Sequence, residues 1–253
     1  MGFLSNLTNQ TTRARLERRQ GDLAGDLAGE DGGANGAPRT TPEVIAEIDR
    51  MFVHVLALVG EAIAGATHAL LAIDREAAKL LMASDDLVDE QIAAITALTQ
   101  RQLISGRTTE PERAELVTVL RMLPDLDRNG DLAEHIARRA ARGLGAEMSP
   151  RSRGLVERMG EVAAAIWAST ADAFSDRSVQ AANVVDALDD ELDELHVGLT
   201  AELATGAMPV PVAIELAMVA RFYERFGDHA VNLARRIAAL SSGAPDPGGP
   251  GAD

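Results

Sequence analysis

The sequence predicts an all-α protein built as two tandem three-helix bundles related by an internal repeat. Three observations predict it. Asp127-Arg128-Asn129-Gly130-Asp131-Leu132-Ala133-Glu134-His135-Ile136-Ala137-Arg138 returns as Glu224-Arg225-Phe226-Gly227-Asp228-His229-Ala230-Val231-Asn232-Leu233-Ala234-Arg235, at an offset of 228 − 131 = 97. Upstream, Ala83-Ser84-Asp85-Asp86-Leu87-Val88-Asp89-Glu90 returns as Ala187-Leu188-Asp189-Asp190-Glu191-Leu192-Asp193-Glu194, at 193 − 89 = 104. A duplication spanning more than one element sets the architecture. The apolar residues are mainly Ala, Leu, Val, Ile and Met, with one Trp, one Tyr and five Phe in 253 residues, which suits helices better than sheets.

The elements follow in order. Residues 1–41 lie outside the repeat and read as a flexible N-terminal extension. Its Arg13, Arg15, Arg18 and Arg19 make a basic arm capable of peripheral membrane contact at most. The first bundle spans 42–147. Thr41 and Pro42 start a helix to about Ala72. Asp74 caps a second helix to about Ile104, and Pro111 opens a third that ends near Gly143. Ser149-Pro150 breaks the chain between copies.

The second bundle spans 148–240. One helix covers about Arg153 to Phe174. Ser178 stands at the place of Asp74 and is expected to cap the next, to about Thr205. A last helix follows Pro209, where Ile214, Met218, Phe222, Phe226, Ala230, Leu233, Ile237 and Leu240 step by three or four and predict one buried stripe. The Gly- and Pro-rich 241–253 reads as a disordered tail.

Charge and composition exclude several functions. A net charge of −15 disfavours nucleic acid, which needs a basic face, and favours cations or basic protein surfaces. With no Cys there is no thiolate ligand, disulfide or cysteine nucleophile. Apolar stretches such as Met51 to Val59 read as too short or interrupted to span a bilayer, and no signal-peptide pattern opens the chain. A soluble, cytoplasmic protein is expected. No Gly-rich phosphate loop, Gly-x-Ser-x-Gly or His-Glu-x-x-His is present, so no enzyme is indicated.

The candidate site is what the repeat duplicates. Acids at i and i+4 share a helix face, and four such pairs recur at matching places: Asp85/Asp89, Asp127/Asp131, Asp189/Asp193 and Glu224/Asp228. In copy one, Asp89 and Asp85 lie 15 and 19 residues before Ile104, and Asp127 and Asp131 lie 17 and 21 residues after Glu110. In copy two, Asp193 and Asp189 lie 12 and 16 residues before Thr205, and Glu224 and Asp228 lie 15 and 19 residues after Pro209. At 1.5 Å per residue the levels differ by roughly 3–5 Å, so antiparallel neighbours are expected to gather four carboxylates in each copy. A single acid pair is expected by chance in so acidic a chain; recurrence on adjacent helices in both copies is not. Two carboxylates at 4 Å repel by about 4 kcal/mol at an effective dielectric near 20, which a cation relieves. Clustered oxygen ligands suit divalent or trivalent metal ions such as magnesium, manganese, iron or zinc. His135, His196 and His229 are near enough in sequence to join. His54 and His68 read as satisfied core or groove residues. Gly130 and Gly227, in mid-helix, suggest room beside the acids.

At these residues the chain resembles the PhoU family of phosphate-uptake regulators. Glu224-Arg225-Phe226-Gly227-Asp228-His229-Ala230-Val231-Asn232-Leu233-Ala234 is similar to that family's Glu-Arg-x-Gly-Asp-x-Ala-x-Asn-x-Ala signature, and the likeness covers about residues 43–240. It implies metal clusters on the paired acids. It also implies negative regulation of phosphate-starvation signalling, by coupling a phosphate ABC transporter ATPase to a sensor histidine kinase, and a homodimer. Asp127 stands where the family has Glu, Asn129 replaces an apolar residue, and His135 stands where copy two has Asn232. The shorter Asp127 leads us to expect the tighter metal site in copy two. Alternatives are a carboxylate–metal hydrolase or oxidase, or an accessory protein of a different phosphate transporter.

Overall fold

The computed structural model describes residues 39–242 apart from Val179. The N-terminal extension to residue 38 and the tail from residue 243 lie outside the described residues. Among those described, the chain forms seven α-helices and one short 3-10 helix, with no strand. They are α1 (Thr41–Ala72), α2 (Arg75–Ala83), α3 (Asp85–Ile104), α4 (Glu110–Ala141), the 3-10 turn Leu144–Glu147, α5 (Pro150–Asp176), α6 (Ala181–Ala204) and α7 (Val210–Ser242).

Capping chemistry sets these ends. Thr40, one residue earlier than expected, is the N-cap of α1, and its N–H donates to Glu43 Oε2 at 2.8 Å. Thr109 and Glu112 repeat that reciprocal arrangement at α4, at 2.7 Å. Each occupies an otherwise orphaned donor of the helix start. Asp74 caps α2 as expected, accepting from the Ala77 N–H at 2.9 Å. Ser178 does not take that role: α6 starts from Gln180, with no side-chain cap. What the copies do share is how their first helices end. Ile73 and Arg177, 104 residues apart, both adopt left-handed backbone at φ 59° and 50°.

The second helix of copy one differs from expectation. It is interrupted at Ser84, whose N–H and hydroxyl both donate to the Leu81 carbonyl, at 3.1 and 2.8 Å. That local side-chain bond competes with the helical ladder and makes Asp85 the first residue of α3.

Two helix pairs join the copies: α1 packs on α5, and α4 packs on α7. By length and composition α1 could cross a membrane, with a window of mean hydropathy 1.7, against our reading of its stretches as too short. Its Ile48, Phe52, Val55, Val59, Ile63 and Leu70 are instead buried within the protein. Trp167 of α5 donates its indole N–H to the Leu56 carbonyl of α1 at 2.6 Å, and its ring meets Phe226 of α7 at 5.1 Å. The buried Thr67 and Tyr223 hydroxyls bond each other at 2.7 Å. Burying aromatic groups with their polar atoms paired gives this core register as well as area.

The predicted stripe on α7 is right at its C-terminal end and wrong at its start. Ile214 and Met218 are 58% and 41% exposed, while Leu216, Val219, Ala220 and Tyr223 are buried. Steps of four gain about 40° each on a 3.6-residue helix, so Ile214 lies about 160° around from Ala230.

Candidate functional site

In copy one the structure brings all four expected acids together. Asp85 and Asp89 of α3 face Asp127 and Asp131 of α4, close enough for Asp89 and Asp131 to act on both Asp85 and Asp127. Asp85 and Asp127 are half-buried, whereas Asp89 and Asp131 are exposed. The Asp85 carboxyl is pushed up to about 6, first by burial and then by the charges of Glu134, Asp89, Asp131 and Asp86. Asp127 is also raised, first by burial, then by Asp131 and Asp89, while Arg128 pulls it down. Glu134 is the member that sequence reasoning missed. It lies three residues after Asp131 on the same face, and copy two has Val231 in its place.

In copy two the gathering is partial. Asp189 of α6 lies against Asp193 and Asp228, and its carboxyl is pushed up to about 7, again chiefly by burial. Glu224 is half-buried and held by Arg221. In both carboxyls burial is the largest cause, and the charges of neighbouring acids add to it.

The mid-helix glycines supply the room. A Cβ on Gly227 would meet Asp189 Oδ1 at 2.2 Å and Leu192 Cδ2 at 3.0 Å. At Gly130 the clearance is wider, 3.5 Å to Asp85 Oδ1 and 3.4 Å to Val88 Cγ1. Gly227 is thus the floor against which the Asp189 carboxylate rests. Among the described residues no three His, Asp or Glu side chains converge as ligands for one ion. The donors are oxygens that suit hard cations.

The histidines do not join the acids as envisaged. His229 is buried and bonds Asp125 Oδ1 through Nδ1 at 3.1 Å, and Arg236 holds Asp125 Oδ2 at 2.6 Å. His135 packs on Phe222, ring centroids 5.3 Å apart. His196 is half-buried on α6, three residues past Asp193, while His54 is half-buried and His68 is exposed rather than in the core. His229 and His135 belong to the contact between the copies. There the repeat places different chemistry at matched positions: the Arg139 guanidinium lies 4.6 Å over the Phe222 ring, whereas Arg236 grips Asp125.

The sequence profile of the PhoU domain matches residues 52–140 and 156–237, once in each copy. The chain belongs to the PhoU family. Phosphate-specific transport system accessory protein PhoU homolog 2 of Mycobacterium tuberculosis is 30% identical over 210 residues, covering 80% of this chain and 96% of the relative. The PhoU homolog of Rhizobium meliloti is 30% identical over 201 residues, 76% of this chain and 82% of the relative. The crystal structure of PhoU from Pseudomonas aeruginosa superposes with a TM-score of 0.75 at 25% identity, covering 80% of this chain and 99% of that one. The phosphate transport system regulatory protein PhoU of Streptococcus pneumoniae shares the fold, with a TM-score of 0.72 at 20% identity over 81% and 98% of the two chains. Both acid clusters fall inside the stretches matched by the PhoU profile.

Proposed function

We propose that this PhoU-family chain is a cytoplasmic, non-enzymatic regulator that couples a phosphate ABC transporter ATPase to a sensor histidine kinase and represses the phosphate-starvation response. The observation that carries the reading is the pair of acid clusters, one per copy, within two PhoU-domain matches. The relatives are accessory proteins of the phosphate-specific transport system. A net charge of −15 suits docking on basic protein patches through electrostatic complementarity. In this reading the protein is a homodimer and does not contact nucleic acid.

Metal ions belong to the same proposal. Asp85, Asp89, Asp127 and Asp131 would hold one set, and Asp189, Asp193, Glu224 and Asp228 the other. A bound cation supplies positive charge to the half-buried Asp85, Asp127 and Asp189 and to the exposed aspartates beside them. The exposed aspartates are free to swing, and Glu224 would exchange Arg221 for the ion.

Deleting the gene tests the regulatory reading. Phosphate-starvation genes should then be expressed in rich phosphate. Unchanged expression would count against it. A second reading, a metal-dependent hydrolase, draws on Asp189, whose carboxyl is placed to exchange protons near neutrality. Metal-dependent phosphoester turnover that is lost in Asp228→Ala would favour that alternative.

A further inference from the structure

At the junction of the two copies lies a concavity of about 270 Å³. The start of α2, the end of α4, the 3-10 turn and the start of α7 line it, and it opens to solvent. Arg75, Arg139 and Arg142 line it, together with Leu144, Pro211 and Val212. Three guanidinium groups around one hollow are unusual in a chain with 24 basic residues against 39 acids.

The arginines are not equivalent. Arg139 is fixed: its Nε meets Glu215 at 2.8 Å and its guanidinium covers Phe222. Arg142 lies close enough to repel it. Among the described residues, neither Arg75 nor Arg142 is seen in an ion pair, and both are exposed to solvent. Gly143 brings Arg75 in. It adopts φ 87°, and a Cβ there would meet Arg75 Nη2 at 2.2 Å, so only glycine lets the guanidinium lie across this backbone. Glu147, the other acid of the lining, is exposed at the rim.

We propose that this hollow binds a small phosphomonoester, with the phosphate held by Arg75 and Arg142 and the organic part laid on Leu144, Pro211 and Val212. Two guanidinium forks match a phosphate dianion in charge and in bidentate geometry, where a carboxylate would leave one unanswered. The apolar floor supplies the remainder, as in small-molecule pockets generally. This site is independent of the acidic clusters, and it stands or falls apart from the regulatory reading.

The test uses phenyl phosphate as probe on the full-length protein, by calorimetry and by chemical-shift mapping of Arg75, Arg142 and Val212. Phenyl phosphate should bind at least about tenfold more tightly than inorganic phosphate or benzoate. That affinity should fall by about tenfold or more in Arg142→Gln and in Arg75→Gln, each checked for an unchanged circular dichroism spectrum. Three results would overturn the proposal: no shifts at these residues, equal binding of inorganic phosphate or benzoate, or undiminished binding by both folded variants.

Discussion

Asn129 donates its side-chain amide to the backbone carbonyl of Phe226 at 3.2 Å, and Phe226 is the residue at its own place in the second copy, because 226 − 129 = 97. The repeat axis therefore passes between a polar residue and an aromatic one. Asn129 is fully buried, and among the described residues its Oδ1 is a buried acceptor with no hydrogen-bond partner. An unsatisfied buried polar atom costs about 1–3 kcal/mol.

Two substitutions at this contact should therefore act in opposite directions. Asn129→Leu should hold or raise stability, within about 1 kcal/mol, because the orphaned oxygen disappears. Asn129→Asp keeps the shape but turns an acceptor toward the Phe226 carbonyl and buries a charge, so it should cost about 3 kcal/mol at neutral pH. Urea unfolding at pH 7 and pH 4 measures both. The Asp penalty should shrink in acid, where the carboxyl is protonated.

The two glycines give a second, asymmetric pair. Gly130→Ala has ordinary clearance to Val88 and Asp85 and should gain about 0.5–1 kcal/mol from helix propensity. Gly227→Ala would force the Asp189 carboxylate off its floor, because the new Cβ falls 2.2 Å from Oδ1. Its signature is electrostatic: the Asp189 carboxyl, at about 7, should return toward the ordinary aspartate range as it moves into water. Carboxyl-carbon NMR titration of wild type and variant decides the matter.

Much of this was legible in the sequence because it rests on spacing. The offsets of 97 and 104 placed the four acid pairs, and helix rise put them at one level in each copy, where the structure gathers four in copy one and only part of the set in copy two. Three features were not legible. Ser84's bond to Leu81 breaks a helix that the period alone would continue. Arg221 captures Glu224 through a local i, i+3 contact that competes with the cluster. His229 has Asp125 as partner only because α4 and α7 cross at the repeat axis, a contact between residues 104 apart in the chain. Long-range pairings of that kind leave no periodic trace.

The raised carboxyls make stability depend on pH in a defined direction. Asp85 and Asp189 bind protons more tightly folded than unfolded, with folded values of about 6 and about 7 against 3.8. Between pH 4 and 7 the folded state thus carries more protons, and stability falls as pH rises. The penalty is fully present above pH 7 and is relieved below pH 4. In metal-free protein Asp189→Asn should stabilise by about 1–2 kcal/mol at pH 8, after discounting for solvent screening, and by little at pH 4. Thermal unfolding across that range in chelator is the measurement, and a stability rising from pH 4 to 8 in proportion to these two groups would be the wrong sign.

Metal-dependent unfolding decides whether cations complete the two carboxylate clusters, as proposed. Full-length protein is stripped with chelator, reloaded with manganese, iron, zinc or magnesium in turn, and melted beside Glu224→Gln/Asp228→Asn and Asp127→Asn/Asp131→Asn, with metal content measured in each. A metal at a hundredfold excess over its dissociation constant adds about 2.7 kcal/mol of stability. Reloading with at least one of these ions should raise the melting temperature. Bound metal should be lost in each variant, with the greater loss in the copy-two variant, whose Glu224 reaches further than Asp127. An unchanged melting temperature with no bound metal in wild type would contradict the proposal, and the acids would then be a solvated surface.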